Sequence, residues 1–223
     1  MSFGLAFSYV FKDKDWFKKL VLPALCSLIP VVGQFVLSGW GLKAAKNVIE
    51  GKEENALPEL EFGADLGRGF MAMLITFLYS LPVSIIAGLA GGLVALGANA
   101  SEDAIMIIVY IVGGCLGLIG LLLAILISLM SVVAIANYVA KGEFKAAFNF
   151  KEIFKMLKKA FGPWLLVILG QIIALGIIAP LGAIACVIGV FLTMAYGVAI
   201  YSHLLGQAYN EATGSPLEIL EVL

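Results

Sequence analysis
Between Ala160 and Asn210 the chain carries no Asp, Glu, Lys or Arg. Leu20 to Leu42, Gly69 to Ser101 and Ala104 to Ala140 are likewise uncharged. A helix needs about 20 apolar residues to cross a hydrocarbon core of about 30 Å, so each run is long enough to meet lipid. The last exceeds one crossing and contains Ala179-Pro180-Leu181-Gly182, a natural turn between two spans. Composition agrees: 62% of residues are hydrophobic and 13% charged, against about 45–50% and about 25% in an ordinary soluble domain. Inside a bilayer each backbone N–H and C=O must bond within its own helix or within a closed barrel. Barrel strands alternate in polarity; Leu116 to Leu129 does not.

The expected architecture is therefore all-α: a polytopic helical membrane protein forming one membrane domain over 1–223. Four full spans are predicted at 69–98, 104–140, 162–179 and 183–212. Residues 1–19 form an interfacial N-terminal segment, and 20–49 a Pro-broken hairpin or fifth span. No positive n-region precedes Val10, so no cleavable signal peptide is expected. Cys26, Cys115 and Cys186 each lie in an apolar run without a C-x-x-C pair, and read as small buried hydrophobes.

Lys and Arg fall in only three places: Lys12–Lys19, Lys43–Arg68 and Lys141–Lys159. Cytoplasmic loops collect positive charge. The second and third clusters are expected inside, with the C-terminus, while the Asn99–Asp103 loop and the Pro180 turn face out. Both flanks of the first run are basic, which a simple span would separate. Pro23, Pro30 and Gly33 lie within it, and a re-entrant hairpin bent near Ile29-Pro30 keeps all the positive charge inside. One kinked span with an external N-terminus is the alternative.

Residues 144–161 are amphipathic. Phe150, Ile153, Phe154, Leu157 and Phe161 take one face, and Lys151, Lys155, Lys158 and Lys159 the other. Aromatics in the acyl boundary and lysines on lipid phosphates suit a helix lying in the headgroup layer. The N-terminal stretch with Phe3, Phe7, Val10 and Phe11 offers a similar pattern. Phe17-Lys18-Lys19 then Pro23 returns as Leu157-Lys158-Lys159 then Pro163. Ala45–Gly51, Ala136–Gly142 and Ala208–Gly214 each end in glycine, as helix C-termini often do. Together these suggest three copies of one unit: an interfacial segment, a helix in and a helix out.

Gly88 and Gly92, and Gly113 and Gly117, are spaced for close helix packing in lipid; the second and third spans are expected to cross there. Gln34, Asn137, Gln171, His203 and Gln207 are the polar residues within or beside the spans. They either hydrogen-bond between helices or line a small polar cavity. No charge sits in mid-span, which argues against proton-coupled transport and most membrane hydrolases. His203 has no metal-ligating neighbour on its own helix, and hydrolase, metalloprotease and P-loop motifs are absent. No cofactor, no catalytic residue and no nucleic-acid partner is expected; lipid bilayer and a protein partner or second copy are.

Gly39-Trp40 in an apolar helix is followed by Glu50-Gly51, Leu57-Pro58, Leu81-Pro82 and, near the end, Gly206-Gln207-Ala208-Tyr209. This order resembles the prokaryotic multi-pass membrane family called domain of unknown function 4013. The resemblance implies a compact helical bundle in a prokaryotic cytoplasmic membrane and carries no activity with it. Three functional classes follow. The foremost is a non-catalytic accessory, scaffold or interaction subunit of a membrane complex. A transporter or channel for a small or lipid-like solute would use a cavity at Gln34, Gln171 or Tyr196, with Pro30, Pro82 and Pro180 marking broken helices. A lipid-directed enzyme would need a cleft at His203, Tyr209 and Glu211.

Overall fold
The computed structural model describes residues 1–100 and 102–214, with the side chains of 185–188 excepted. The chain is 86% helical, and no strand occurs among the described residues. Four helices are long and apolar enough to cross a membrane: Phe62–Ala98, Asp103–Lys141, Phe161–Ile184 and Gly189–Thr213. The chain therefore satisfies its backbone groups inside helices, as lipid requires.

Helix α1 (Phe3–Lys12) leads into α2 (Trp16–Cys26) and α3 (Val32–Ile49). The break between α2 and α3 centres on Pro30. Val31 takes a positive φ of 65°, and Gly33 N–H returns to the Ile29 carbonyl at 2.9 Å. A methyl on Gly33 would overlap the Cys26 carbonyl oxygen, so glycine is what lets the chain fold back tightly. Pro23 is buried inside α2 and does not break it. The two basic flanks meet: Lys12 Nζ pairs with Glu54 at 2.8 Å, and Lys19 Nζ donates to the Leu57 carbonyl at 3.3 Å. Both ends of this helix pair thus lie on one side.

The second span begins earlier than 69. Helix α4 runs Phe62–Ala98, because Asp65 and Arg68 in its first turns neutralise each other at 2.5 Å. Pro82 sits within the continuous helix rather than at a break. Helix α5 covers Asp103–Lys141. The 144–161 segment is not one helix. A 3-10 turn (Phe144–Phe148) precedes α6 (Phe150–Lys159), whose first turn is capped by Asn149, and the backbone breaks again at Ala160. Phe161 belongs to α7 (Phe161–Gln171), which continues as a π-helix over Ile172–Ile178. A short α8 (Ala179–Leu181) and a 3-10 turn lead into α9 (Cys186–Thr213).

The chain divides into two compact units: Met1–Ile75 with Val132 onward, and Thr76–Ser131. In the first unit α9 is the central element. Tyr9, Leu37, Trp40, Val48, Ala195 and Ala199 form a shared core with the loop residues Ala56 and Leu57. Helix α1 docks against α9, Tyr9 Oη donating to the Ala199 carbonyl (3.1 Å) and Tyr196 Oη to the Phe7 carbonyl (2.7 Å). Val10 is therefore buried in protein, whereas Phe11 stays exposed.

The second unit is an antiparallel pair of helical segments. A Cβ at Gly120 would stand 3.1 Å from Ile86, one at Gly113 3.1 Å from Val94 and 3.4 Å from the Ala90 carbonyl, and one at Gly97 3.1 Å from Tyr110. The seam on α4 follows 86, 90, 93–94 and 97, the three-and-four spacing of one helix face. At about 100° per residue, Gly88 and Gly92 lie about 200° and 240° round from Ile86. No described atom approaches a Cβ there, nor at Gly117, within 4 Å. Of the four glycines expected at the crossing, only Gly113 touches the other helix; helix rotation turns the rest away.

Candidate functional site
Three constellations gather the polar residues of the spans. The first joins the last turns of α9 to the N-terminal segment and the α3–α4 loop. Gln207 faces the backbone of Ser2, accepting its N–H at Oε1 (2.7 Å) and donating Nε2 to its carbonyl (3.2 Å). That pairing fixes which end of the amide is nitrogen. The same Nε2 points at His203 Nδ1 (2.9 Å), which must therefore accept, so the imidazole proton sits on Nε2 and is donated to the Glu53 carbonyl at 2.8 Å. His203 is wholly buried, stacked near Tyr9 with ring centroids 4.3 Å apart. Asn210 adds a bond from Nδ2 to the Val48 carbonyl (3.0 Å). Burial pushes the Tyr9 phenol pKa far up, neighbouring Tyr196 adding to the effect, so Tyr9 remains a donor. This network is a latch: every polar atom of His203 is engaged, and none is presented to a substrate.

The second constellation closes the α5–α6 corner. Asn137 Nδ2 donates to the Ala146 carbonyl (2.9 Å) and Glu152 (3.2 Å), while Lys141 grips Glu152 at 2.5 Å. Hydrogen bonding from Lys141, aided by Asn137 and Asn149 against the opposing cost of partial burial, holds the Glu152 carboxyl below the usual glutamate range. Asn137 Oδ1 is buried without a partner. Lys151, Lys155, Lys158 and Lys159 all stand exposed on α6 and form no ion pair among the described residues, so their charge is available to the surroundings.

The third lies between α3, α7 and α9. Gln34 and Gln171 line a cavity of about 250 Å³ with Ser38, Tyr201 and Ser202. Gln171 falls midway along Phe161–Ile184, and Tyr201 and Ser202 midway along Gly189–Thr213. Of the five polar residues expected in a cavity or between helices, the structure brings only Gln34 and Gln171 together here. Asn137, His203 and Gln207 belong to the latches. Tyr196 is turned towards α1.

Sequence reading missed the tightest helix crossings. Methyl groups on Gly39 and Gly69 would overlap the carbonyl oxygens of Asp65 and Phe35, so α3 and α4 meet backbone to backbone. Arg68 spans the joint, donating to the Gly39 carbonyl (3.2 Å) and Asp65. Asp65, fully buried, also accepts the Glu61 N–H at 2.7 Å. The i,i+3 pair Asp65–Arg68 was a legible signal that the helix begins before Gly69. Among the described residues no group of three or more His, Cys, Asp or Glu side chains could hold a metal.

Four membrane-spanning helices, a helical loop-back before them and neutral mid-span chemistry define a polytopic helical membrane protein. The chain belongs to the family described as Protein of unknown function (DUF4013), whose profile matches residues 22–193. That agrees with the order of motifs from Gly39-Trp40 to Leu81-Pro82. No curated protein and no solved structure matches the chain.

Proposed function
We propose that this protein is a non-catalytic membrane subunit that binds the transmembrane helix of another protein, or of a second copy, through its Thr76–Ser131 unit. The observation that carries the reading is a stripe of small residues on α4. Ser84, Gly88, Gly91 and Ala95 recur at four, three and four residues and are all exposed. They lie opposite the seam with α5. Glycine in a helix costs up to about 1 kcal/mol relative to alanine, and Gly88 and Gly91 gain no close contact in return. Such a face lets a second backbone approach closely, which is what drives helix association in lipid. The engaged state of His203 supports a non-enzymatic role. The Gly-capped helix ends and matching Asn latches support a repeated building unit. The basic loops support a cytoplasmic face in a prokaryotic cell membrane, with α6 and its lysines against anionic headgroups.

The test is gentle extraction from native membranes, comparing the wild type with Gly88→Leu/Gly91→Leu. The wild type should carry a stoichiometric partner or a second copy, and the variant should lose it while remaining monodisperse. A wild-type particle that is strictly a lone chain would overturn the reading. An Ala95→Cys variant that forms a disulfide with itself in membranes would identify the partner as a second copy.

A further inference from the structure
The cavity between α3, α7 and α9 shares no residue with the small-residue stripe of α4. Its polar lining is uncharged: two carboxamides and three hydroxyls. Ser202 is 1% exposed. Neither its hydroxyl nor the Gln171 amide has a hydrogen-bond partner among the described residues. Gln34 reaches only the Ser27 carbonyl, at a long 3.4 Å. Groups that lack partners at the depth of the hydrocarbon cost free energy, about 1–3 kcal/mol each by mutational measures. They are retained where something else supplies the missing bonds.

Close helix packing frames this space. A Cβ on Gly41 would overlap Val198 Cγ1 and Ser202 Oγ, the latter at 2.7 Å, so α3 and α9 meet closely beside the cavity and fix Ser202 at its edge. Directly after Gln171 the helix widens into the π-helix Ile172–Ile178, a distortion frequent at functional sites. A Cβ on Gly197 would come 2.8 Å from the Ala174 carbonyl, which pins α9 against that wide turn.

We infer that this cavity is a binding site for the uncharged polar end of a small amphiphile or solute, one carrying hydroxyl or carbonyl groups. Glutamine offers two donors and one acceptor oxygen, and each hydroxyl both donates and accepts, so vicinal hydroxyls or an ester carbonyl are matched. An ionic headgroup finds no counter-charge and would meet the penalty for charge at mid-membrane. A volume of about 250 Å³ is below the roughly 300–1,000 Å³ of pockets for drug-sized ligands. It holds a headgroup or a small solute. Leu37, Leu175, Met194 and Val198 complete the wall and accept the adjoining methylenes.

The experiment uses the full-length protein in phosphatidylcholine nanodiscs. It is exposed to a photoreactive diacylglycerol, or to a photoreactive phosphatidylserine of equal chain length. Diacylglycerol should label peptides containing Gln171 or Ser202, and the label should fall at least tenfold in Gln34→Leu/Gln171→Leu. Phosphatidylserine labelling should not distinguish the two. Ser38→Phe, which fills the cavity and keeps both amides, should lose the label equally and guards against misfolding of the double variant. In parallel, glycerol is titrated against the thermal midpoint. A rise larger in wild type than in both variants, without diacylglycerol labelling, would assign the site to a free solute. Diacylglycerol label confined to outward-facing residues, together with equal glycerol responses, would overturn the inference.

Discussion
At the scale of single residues, the glycines separate into two kinds that look alike in sequence. Gly39 and Gly69 sit where one helix backbone rests on another, and no side chain fits. Gly88 faces open space. Gly39→Ala should therefore lower the thermal stability of the purified protein by about 1–3 kcal/mol or more, the cost of forcing atoms into a packed joint. Gly88→Ala should leave it unchanged or raise it by up to about 1 kcal/mol, from helix propensity alone. Thermal melts in one detergent check both, and equal losses would contradict the assignment. The spacing Gly88-x-x-x-Gly92 announces a small face but not what the face meets. That depends on rotation about the helix axis, which a neutral, all-apolar segment does not encode locally. Gly39 carried no such spacing and was legible only as part of the Gly39-Trp40 motif.

At the scale of elements, helix ends were the most legible feature. Gly51, Gly142 and Gly214 are the described glycines with positive φ, at 86°, 70° and 90°. Each closes a helix whose sequence signalled a glycine cap. Behind two of them stands an asparagine latch of the same span: Asn47 donates to the Ala56 carbonyl and Asn137 to that of Ala146, at 3.0 and 2.9 Å. Those bonds were not legible, because they depend on the path of the loop. The α5–α6 corner adds a titratable clasp. Glu152 is held below the ordinary glutamate pKa in the folded chain. Its contribution is therefore present above the unfolded value and is lost as pH falls through the folded one. Thermal midpoints measured from pH 7 down to about pH 3, spanning the carboxylate range, should fall further for wild type than for Glu152→Gln. Parallel curves would show that the clasp adds nothing. The amphipathic pattern of 144–161 predicts one helix, because periodicity does not register a cap. Asn149 and Ala160 divide it.

At the scale of the whole molecule, charge distribution makes the decisive prediction. In a background lacking Cys26, Cys115 and Cys186, a cysteine at Asn99 should react with a membrane-impermeant maleimide on intact cells. A cysteine at Lys52 should react only after the membrane is opened. The reverse pattern would invert the topology and place the α6 lysines outside. Because Lys12 meets Glu54, a cysteine at Lys14 should follow the Lys52 pattern. Labelling of Lys14 from outside would contradict the loop-back at Pro30.

Hydrophobic runs longer than a bilayer is thick, together with the demand that buried backbone bond to itself, determined from sequence alone that this chain is helical and crosses a membrane. The family was legible in the order of its motifs. Tertiary structure alone decided what the polar residues meet. Gln171 and Gln207 are chemically identical, yet one ends a helix turn beside a cavity and the other locks onto the backbone of Ser2. The physical reason is that lipid judges residues one at a time by transfer cost. Hydrogen bonds and close packing depend on which distant backbone arrives opposite, and only the folded chain brings these together.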